Sequence, residues 1–196
     1  MGTDFSLPYG NLSYNLYMKN KSYSKKSYQH GFTIIEFMIV LTIAAIFVSV
    51  AVPSYYYLIQ NNKVVSVTNK LAASFSSARM EAIKRGTRVS VCSAGNTSYT
   101  SCGNSSQWSQ GWIVFTDADN NNAIDSSNDL VKIAEAPPTG STITSNLSIV
   151  SYDGTGFTTT NALTMSLRTT GCRGNNARTL SIATSGRLSI ATATCP

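Results

Sequence analysis

Residues 32–52 form an unbroken apolar run whose one ionisable side chain is Glu36, and Pro53 closes it. As a helix at about 1.5 Å per residue, such a run spans roughly 31 Å, the thickness of a bilayer's hydrocarbon core. It predicts one membrane crossing and divides the chain into a part before the membrane and a part after it. A carboxylate inside a membrane span costs about 2.5–3.5 kcal/mol on insertion scales, so Glu36 needs a partner. The span itself contains no basic side chain. Cleavage between Gly31 and Phe32 would supply one: the new α-ammonium stands at the helix start, and a neighbouring copy's ammonium can meet Glu36 when such helices pack side by side.

Two plainer readings compete. A secretory signal peptide also places lysines ahead of an apolar run, and Ser49-Val50-Ala51 offers a small-x-small cleavage site. Its apolar region usually covers about 7–15 residues, however, which is shorter than this run and free of glutamate. An ordinary single-pass anchor accounts for the length and leaves Glu36 unexplained.

The formal charge of +6 would suggest a nucleic-acid partner if it were spread along the chain. Lys19, Lys21, Lys25 and Lys26 all precede Gly31, however. Without them and Asp4, the 15 basic and 9 acidic side chains become 11 and 8, and the excess falls to +3. Lysines ahead of a membrane span keep the N-terminus in the cytoplasm, which puts the later residues on the periplasmic or outer side. The four cysteines, Cys92, Cys102, Cys172 and Cys195, lie in that later part, on the oxidising side where disulfides persist. Three pairings are open to them. Zinc is the competing use, but no Cys-x-x-Cys pair occurs and the single histidine, His30, precedes the cut. Residues 1–17 are polar and aromatic without a lysine, and Met18 is an alternative start that would leave a short basic leader.

After Pro53 the helical pattern resumes, so the proline predicts a kink and not a break. Tyr55, Tyr56 and Tyr57 suit the membrane–water interface. Val64, Val67, Leu71, Phe75, Ala78 and Ala82 recur at steps of three and four, one apolar stripe that should pack on a globular head. Lys84 and Arg85 followed by Gly86 read as the helix end. Short β-rich runs then follow at residues 88–92, 112–116, 130–134, 147–152, 162–167, 178–183 and 187–192, and Thr184-Ser185-Gly186 marks a hairpin between the last two. The expected organisation is a leader at 1–31, a membrane helix at 32–52, its amphipathic continuation at 53–86 and a β-rich head at 87–196. The fold class is α+β, with a long N-terminal helix packed on an antiparallel head of one or two sheets.

The lysine-rich leader, Gly31, Phe32, Thr33, Glu36 as the fifth residue after the cut and Pro53 as the twenty-second closely resemble a type IV prepilin or type II secretion pseudopilin. Further on, Ala78-Arg79-Met80-Glu81-Ala82-Ile83, Val89-Ser90-Val91-Cys92, Trp108, and Gly111-Trp112-Ile113-Val114-Phe115-Thr116-Asp117 resemble the GspH/FimT/FimU group, as do Ser185-Gly186-Arg187 and the terminal Cys195. The resemblance implies a pilin-like fold and a subunit that joins the tip complex starting assembly of a type IV pilus or secretion pseudopilus. It implies a prepilin peptidase that cuts after Gly31, N-methylation of Phe32, pairing of Glu36 with an amino terminus during assembly, and bending at Pro53. It implies other minor and major pilins or pseudopilins as partners through the helix, and a single-pass inner-membrane protein with a periplasmic head. The local pairing Cys92–Cys102 with Cys172–Cys195 resembles that of pilin-like proteins in which a bridge ties down the C-terminal segment.

Two further patterns bear on function. Asp117, Asp119, Asn121 and Asp125 place oxygen atoms at alternating positions like a calcium loop, but Asn122 stands where the glycine should be and Asn128 replaces the closing glutamate, so a polar turn is the expectation and no metal is assigned. Arg168, Arg173, Arg178 and Arg187 follow the last acidic residue, Asp153, and concentrate positive charge in the tail. Some FimT-type proteins bind DNA for uptake through a C-terminal Gly-Arg-x-Arg motif. Here the match is Gly186-Arg187-Leu188-Ser189, so the carry-over stops at Arg187, and DNA contact through Arg173, Arg178 and Arg187 is the alternative function. With no histidine after Gly31, no nucleophile beside a base and no phosphate-binding glycine loop, neither an enzymatic activity nor a cofactor is expected.

Overall fold

The computed structural model describes residues 31–196. The leader lysines, Met18 and His30 lie outside the described residues. The chain forms two compact units, the first reaching Ala44 and the second covering Ala45–Pro196.

Helix α1 (Ile34–Arg85) continues through Pro53 without a break. Thr33 starts it: its carbonyl accepts from the Phe37 amide at 3.1 Å and its hydroxyl from the Glu36 amide at 3.3 Å. A threonine three residues before a glutamate is a helix N-cap arrangement, and the carboxylate in the first turn also suits the positive end of the helix dipole. Gly86 ends the helix with φ of +64°, a conformation open to glycine, after Lys84 and Arg85 in the last turn. In the first unit Ile34, Phe37, Met38 and Leu41 are all more than half exposed. A helix that is apolar all round has no single face to bury against protein.

In the second unit the stripe Val64, Val67, Leu71, Phe75, Ala78 and Ala82 is buried without exception. Each large side chain on it contributes about 1.5–3 kcal/mol on burial, which outweighs intrinsic helix preference. The helix packs on two four-stranded antiparallel sheets. The first has the order β3 (Leu130–Glu135), β2 (Gly111–Thr116), β1 (Val89–Ser93), β5 (Ile149–Tyr152). The second has the order β4 (Ser141–Ser145), β6 (Leu163–Thr169), β7 (Ala177–Ile182), β8 (Leu188–Ala193). The chain passes from the first sheet to the second at β4, back at β5 and across again at β6, so neither sheet can form from a continuous segment.

Val89, Val91, Trp112, Val114, Val150 and Tyr152 from the first sheet meet Ile143, Leu163, Met165, Leu167, Leu180 and Ile182 from the second in one core with the helix stripe. The other face of the first sheet carries a smaller core of Cys92, Ala94, Ile113 and Phe115. Strands β1 and β2 are therefore covered on both faces, which explains their near-continuous apolar sequence.

All seven expected strands are present, with ends shifted by a residue or two. An eighth, β4, was not expected. Its sequence Ser-Thr-Ile-Thr-Ser carries one large apolar residue, Ile143, so it reads as a polar loop. It is held by five paired positions with β6, from Ser141 opposite Thr169 to Ser145 opposite Met165. The expected hairpin stands between β7 and β8, where Gly186, at φ +75°, donates its amide to the Ala183 carbonyl at 2.8 Å.

Candidate functional site

Gly31 and Phe32 precede the first helical turn. A Cβ added to Gly31 would meet nothing within 4 Å, and Phe32 is 81% exposed. Glu36 is exposed in that turn and forms no ion pair among the described residues, where the two pairs are Arg85–Glu81 and Arg88–Asp117. The Glu36 amide donates to the Thr33 hydroxyl, and the Glu36 side chain is exposed. The apolar stretch that follows is long and apolar enough to cross a membrane, and none of it is buried against the protein. Tyr55 and Tyr56 are exposed beyond Pro53.

The cysteines form two bridges. Cys92–Cys102, with Cα atoms 5.6 Å apart, ties β1 to the loop that leads to a 3-10 turn (Trp108–Gln110). Cys172–Cys195, at 5.7 Å, ties the β6–β7 loop to the C-terminal segment, where the Cys195 amide also donates to the Gly174 carbonyl at 2.8 Å.

The head motifs converge on the helix. Arg79 donates from Nε to the Gly156 carbonyl at 2.8 Å and from Nη2 to the Ser185 carbonyl at 3.3 Å, pinning the β5–β6 loop and the β7–β8 turn to the end of α1. A Cβ on Gly186 would collide with the Gly156 carbonyl oxygen, so only glycine lets these two turns meet. Beside them, the Thr155 hydroxyl at 2.6 Å from Asp153 Oδ1 is the main cause that holds the Asp153 carboxyl below its ordinary range; amides of Thr155 and Phe157 add to it. Burial pushes the Tyr152 hydroxyl up. Trp112 Nε1 reaches Ser74 Oγ at 2.9 Å and Trp108 Nε1 the Leu147 carbonyl at 2.8 Å, so both indoles are buried with their polar atoms satisfied.

Asp117, the last residue of the motif that starts at Gly111, is buried. Its Oδ2 lies 3.3 Å from Arg88 Nε, an ion pair without the alignment of a hydrogen bond, and accepts from Ser90 Oγ at 3.2 Å. Its Oδ1 accepts from the Asn122 amide, while Arg88 Nη2 reaches Asn122 Oδ1 at 2.6 Å and Ser151 Oγ at 3.0 Å. Asp117 is thus a strut between the 117–125 loop and the first sheet. Asn121 donates its amide nitrogen to Asp119 at 2.8 Å and to Asp125 at 3.1 Å, and its oxygen accepts from the Ala123 amide. The four residues of the calcium-like pattern are therefore joined to protein partners, and no three acidic, histidine or cysteine side chains among the described residues group as a metal site.

Arg173 and Arg178 lie against neighbouring turns on one side of α1, and Arg187 stands apart from them. Arg178 reaches inward to Asn61 of α1 at 3.2 Å, and Arg173 lies over the Tyr57 ring at 5.3 Å. Arg187 is exposed at the other end of the β7–β8 hairpin, where Ile182 pairs with Leu188, roughly 13 Å of strand from Arg178. Arg168 lines a separate polar recess with Thr142, Thr170 and Pro196. Arg79 and Arg88 also tie distant parts of the chain together; Arg79 stands in the Ala78–Ile83 motif, but the sequence shows the partners of neither, which lie far along the chain and are mostly backbone carbonyls, amide oxygens and hydroxyls.

A family model described as type II transport protein GspH matches residues 67–186, and one described as the prokaryotic N-terminal methylation motif matches residues 26–52. No curated protein sequence matches significantly. Two crystal structures of the type IV minor pilin FimU of Pseudomonas aeruginosa PAO1 share the fold. One, in space group P21, has a TM-score of 0.54 at 16% identity, covering 69% of this chain and 96% of that one. The other, in P65, has a TM-score of 0.51 at 16% identity, covering 67% and 98%.

Proposed function

The chain belongs to the GspH family, a minor pilin or pseudopilin, and we propose that it acts at the start of assembly, as a tip subunit of a type IV pilus or a type II secretion pseudopilus. In this reading residues 1–31 are a leader removed by prepilin peptidase between Gly31 and Phe32, and Phe32 is then N-methylated. Residues 32–52 anchor the chain once in the inner membrane, 53–86 continue the helix, and 87–196 form a periplasmic head. Glu36 meets the amino terminus of a neighbouring subunit, or its own before assembly, and Pro53 lets the helix bend as the subunit leaves the bilayer. Other pilins or pseudopilins contact it through the helix.

One observation carries the reading: an exposed Gly31–Phe32 junction stands directly ahead of a capped helix start and an apolar stretch, 32–52, whose lone carboxylate, Glu36, has no cation beside it among the described residues. In lipid that carboxylate is stable only when paired or protonated, which gives neighbouring helices one preferred register. Glu36→Ala should therefore leave cleavage by the peptidase intact and abolish incorporation into pili or tip complexes, scored by shearing and by co-purification with the other subunits. Normal incorporation of the variant would overturn the role assigned to Glu36. Arg178 is bonded to Asn61 and Arg187 stands at the far end of its hairpin, so no observation favours a second, DNA-binding reading.

A further inference from the structure

We propose that the recess between α1 and the 171–174 loop binds the phosphate headgroup of an acidic phospholipid, with Arg173 as the ligand for the phosphate. The proposal rests on the membrane anchoring described above. The recess has a volume of about 320 Å³ and is lined by Val52, Pro53, Tyr56, Tyr57, Gly171 and Arg173. Val52 is the last residue of the apolar run, and the tyrosines belong at the level where acyl chains give way to headgroups. An apolar floor with a cation at its rim, at the level where acyl chains give way to headgroups, suits a lipid whose headgroup is an anion.

Arg173 is held for this task. Its guanidinium lies over the Tyr57 ring, within the roughly 6 Å of a cation–π contact. It forms no ion pair or hydrogen bond among the described residues, whereas Arg178, close by in the chain, is committed to Asn61 and to the Asn175 and Ala177 carbonyls. The loop is fixed on both sides: the Cys172–Cys195 bridge adjoins Arg173, the Cys172 amide donates to the Thr169 carbonyl at 3.0 Å, and the Gly174 carbonyl accepts from Cys195. Gly171 takes a φ of +77°, open to glycine, and its backbone lies against the Tyr56 ring, where an added Cβ would be in ordinary van der Waals contact at 3.4 Å.

The test uses the processed full-length chain in lipid nanodiscs, of phosphatidylcholine alone or with phosphatidylglycerol, and reads amide hydrogen exchange at residues 171–174. A single arginine at an anionic lipid surface is worth about fivefold in binding. Exchange at these amides should slow by about that factor when phosphatidylglycerol is present. The slowing should vanish in Arg173→Ala, persist in part in Arg173→Lys, and not be reproduced by adding soluble glycerol phosphate to phosphatidylcholine discs. Intact mass confirms that each variant keeps both disulfides. Equal exchange in the two discs with the chain inserted in both would overturn the lipid site while leaving the anchor in place. Slowing by soluble glycerol phosphate would assign the recess to a free anion, and slowing that grows with the number of chains per disc would assign it to a neighbouring subunit; either overturns the proposal. A chain that enters neither disc would overturn the anchoring reading and the site with it.

Discussion

Arg79 joins three parts of the chain that the sequence keeps apart: the end of α1, the turn at Gly156 and the turn at Ser185. Both of its bonds are charge-assisted donations to backbone carbonyls that would otherwise be left to water or unpaired. Replacing Arg79 by alanine should cost about 2 kcal/mol, and lysine, which cannot present two planar donors at once, should recover only part of it. Urea unfolding of the full chain in detergent measures both. Asp153 makes a second residue-scale prediction. Its carboxyl is held below the ordinary range in the folded head, so its contribution is present above an unfolded value of about 3.9 and is lost as the pH falls through the lower folded value. The amides of Thr155 and Phe157 should therefore lose protection, measured against their intrinsic exchange rates, as the pH falls through that value, and Asp153→Asn should remove that pH dependence. The chemistry of a charge in lipid singles out Glu36 in the sequence and, through the ammonium that a cut would supply, Gly31, and the role proposed for each rests on that chemistry. Asp117 was legible only as an oxygen ligand, since a buried partner such as Arg88, 29 residues earlier in the sequence, leaves no local pattern.

The elements were more legible than the residues that join them. The stripe from Val64 to Ala82 repeats at the helical period, and strands such as β2 and β5 stand out by β-branched, aromatic and apolar content, so both follow from local sequence. β4 does not, because its place in the sheet comes from pairing with β6, some twenty residues away, and from the Ser109 hydroxyl that accepts the Ile143 amide at 2.9 Å. Strand order is illegible for the same reason. At this scale Phe75, fully buried and 6.0 Å from the Trp108 ring, should be the most sensitive point of the stripe. Phe75→Ala should lose about 3–5 kcal/mol. Changing Cys172 and Cys195 together to serine should lose roughly 3 kcal/mol, from the closed loop of a 23-residue separation. The Cys92–Cys102 pair should cost more, because Cys92 is also packed in the smaller core. Thermal unfolding without reductant ranks the three.

For the whole molecule, one division of labour connects sequence, fold and function. A helix start for which we propose cutting and pairing is followed by an apolar stretch long enough to cross a membrane, and the same helix then supplies the face on which two interleaved sheets are packed. The GspH match covers the head and the methylation-motif match covers the helix start, so the two halves of the account rest on separate parts of the chain. The measurement that tests their union most directly is the intact mass and N-terminal sequence of the protein taken from its native membrane without reductant. The account predicts a chain beginning at N-methylated Phe32, with mass lowered by the hydrogens of two disulfides. A chain beginning at Val52 would make the apolar run a secretory signal, and an uncut chain would make it a plain anchor; either result would contradict the assembly function.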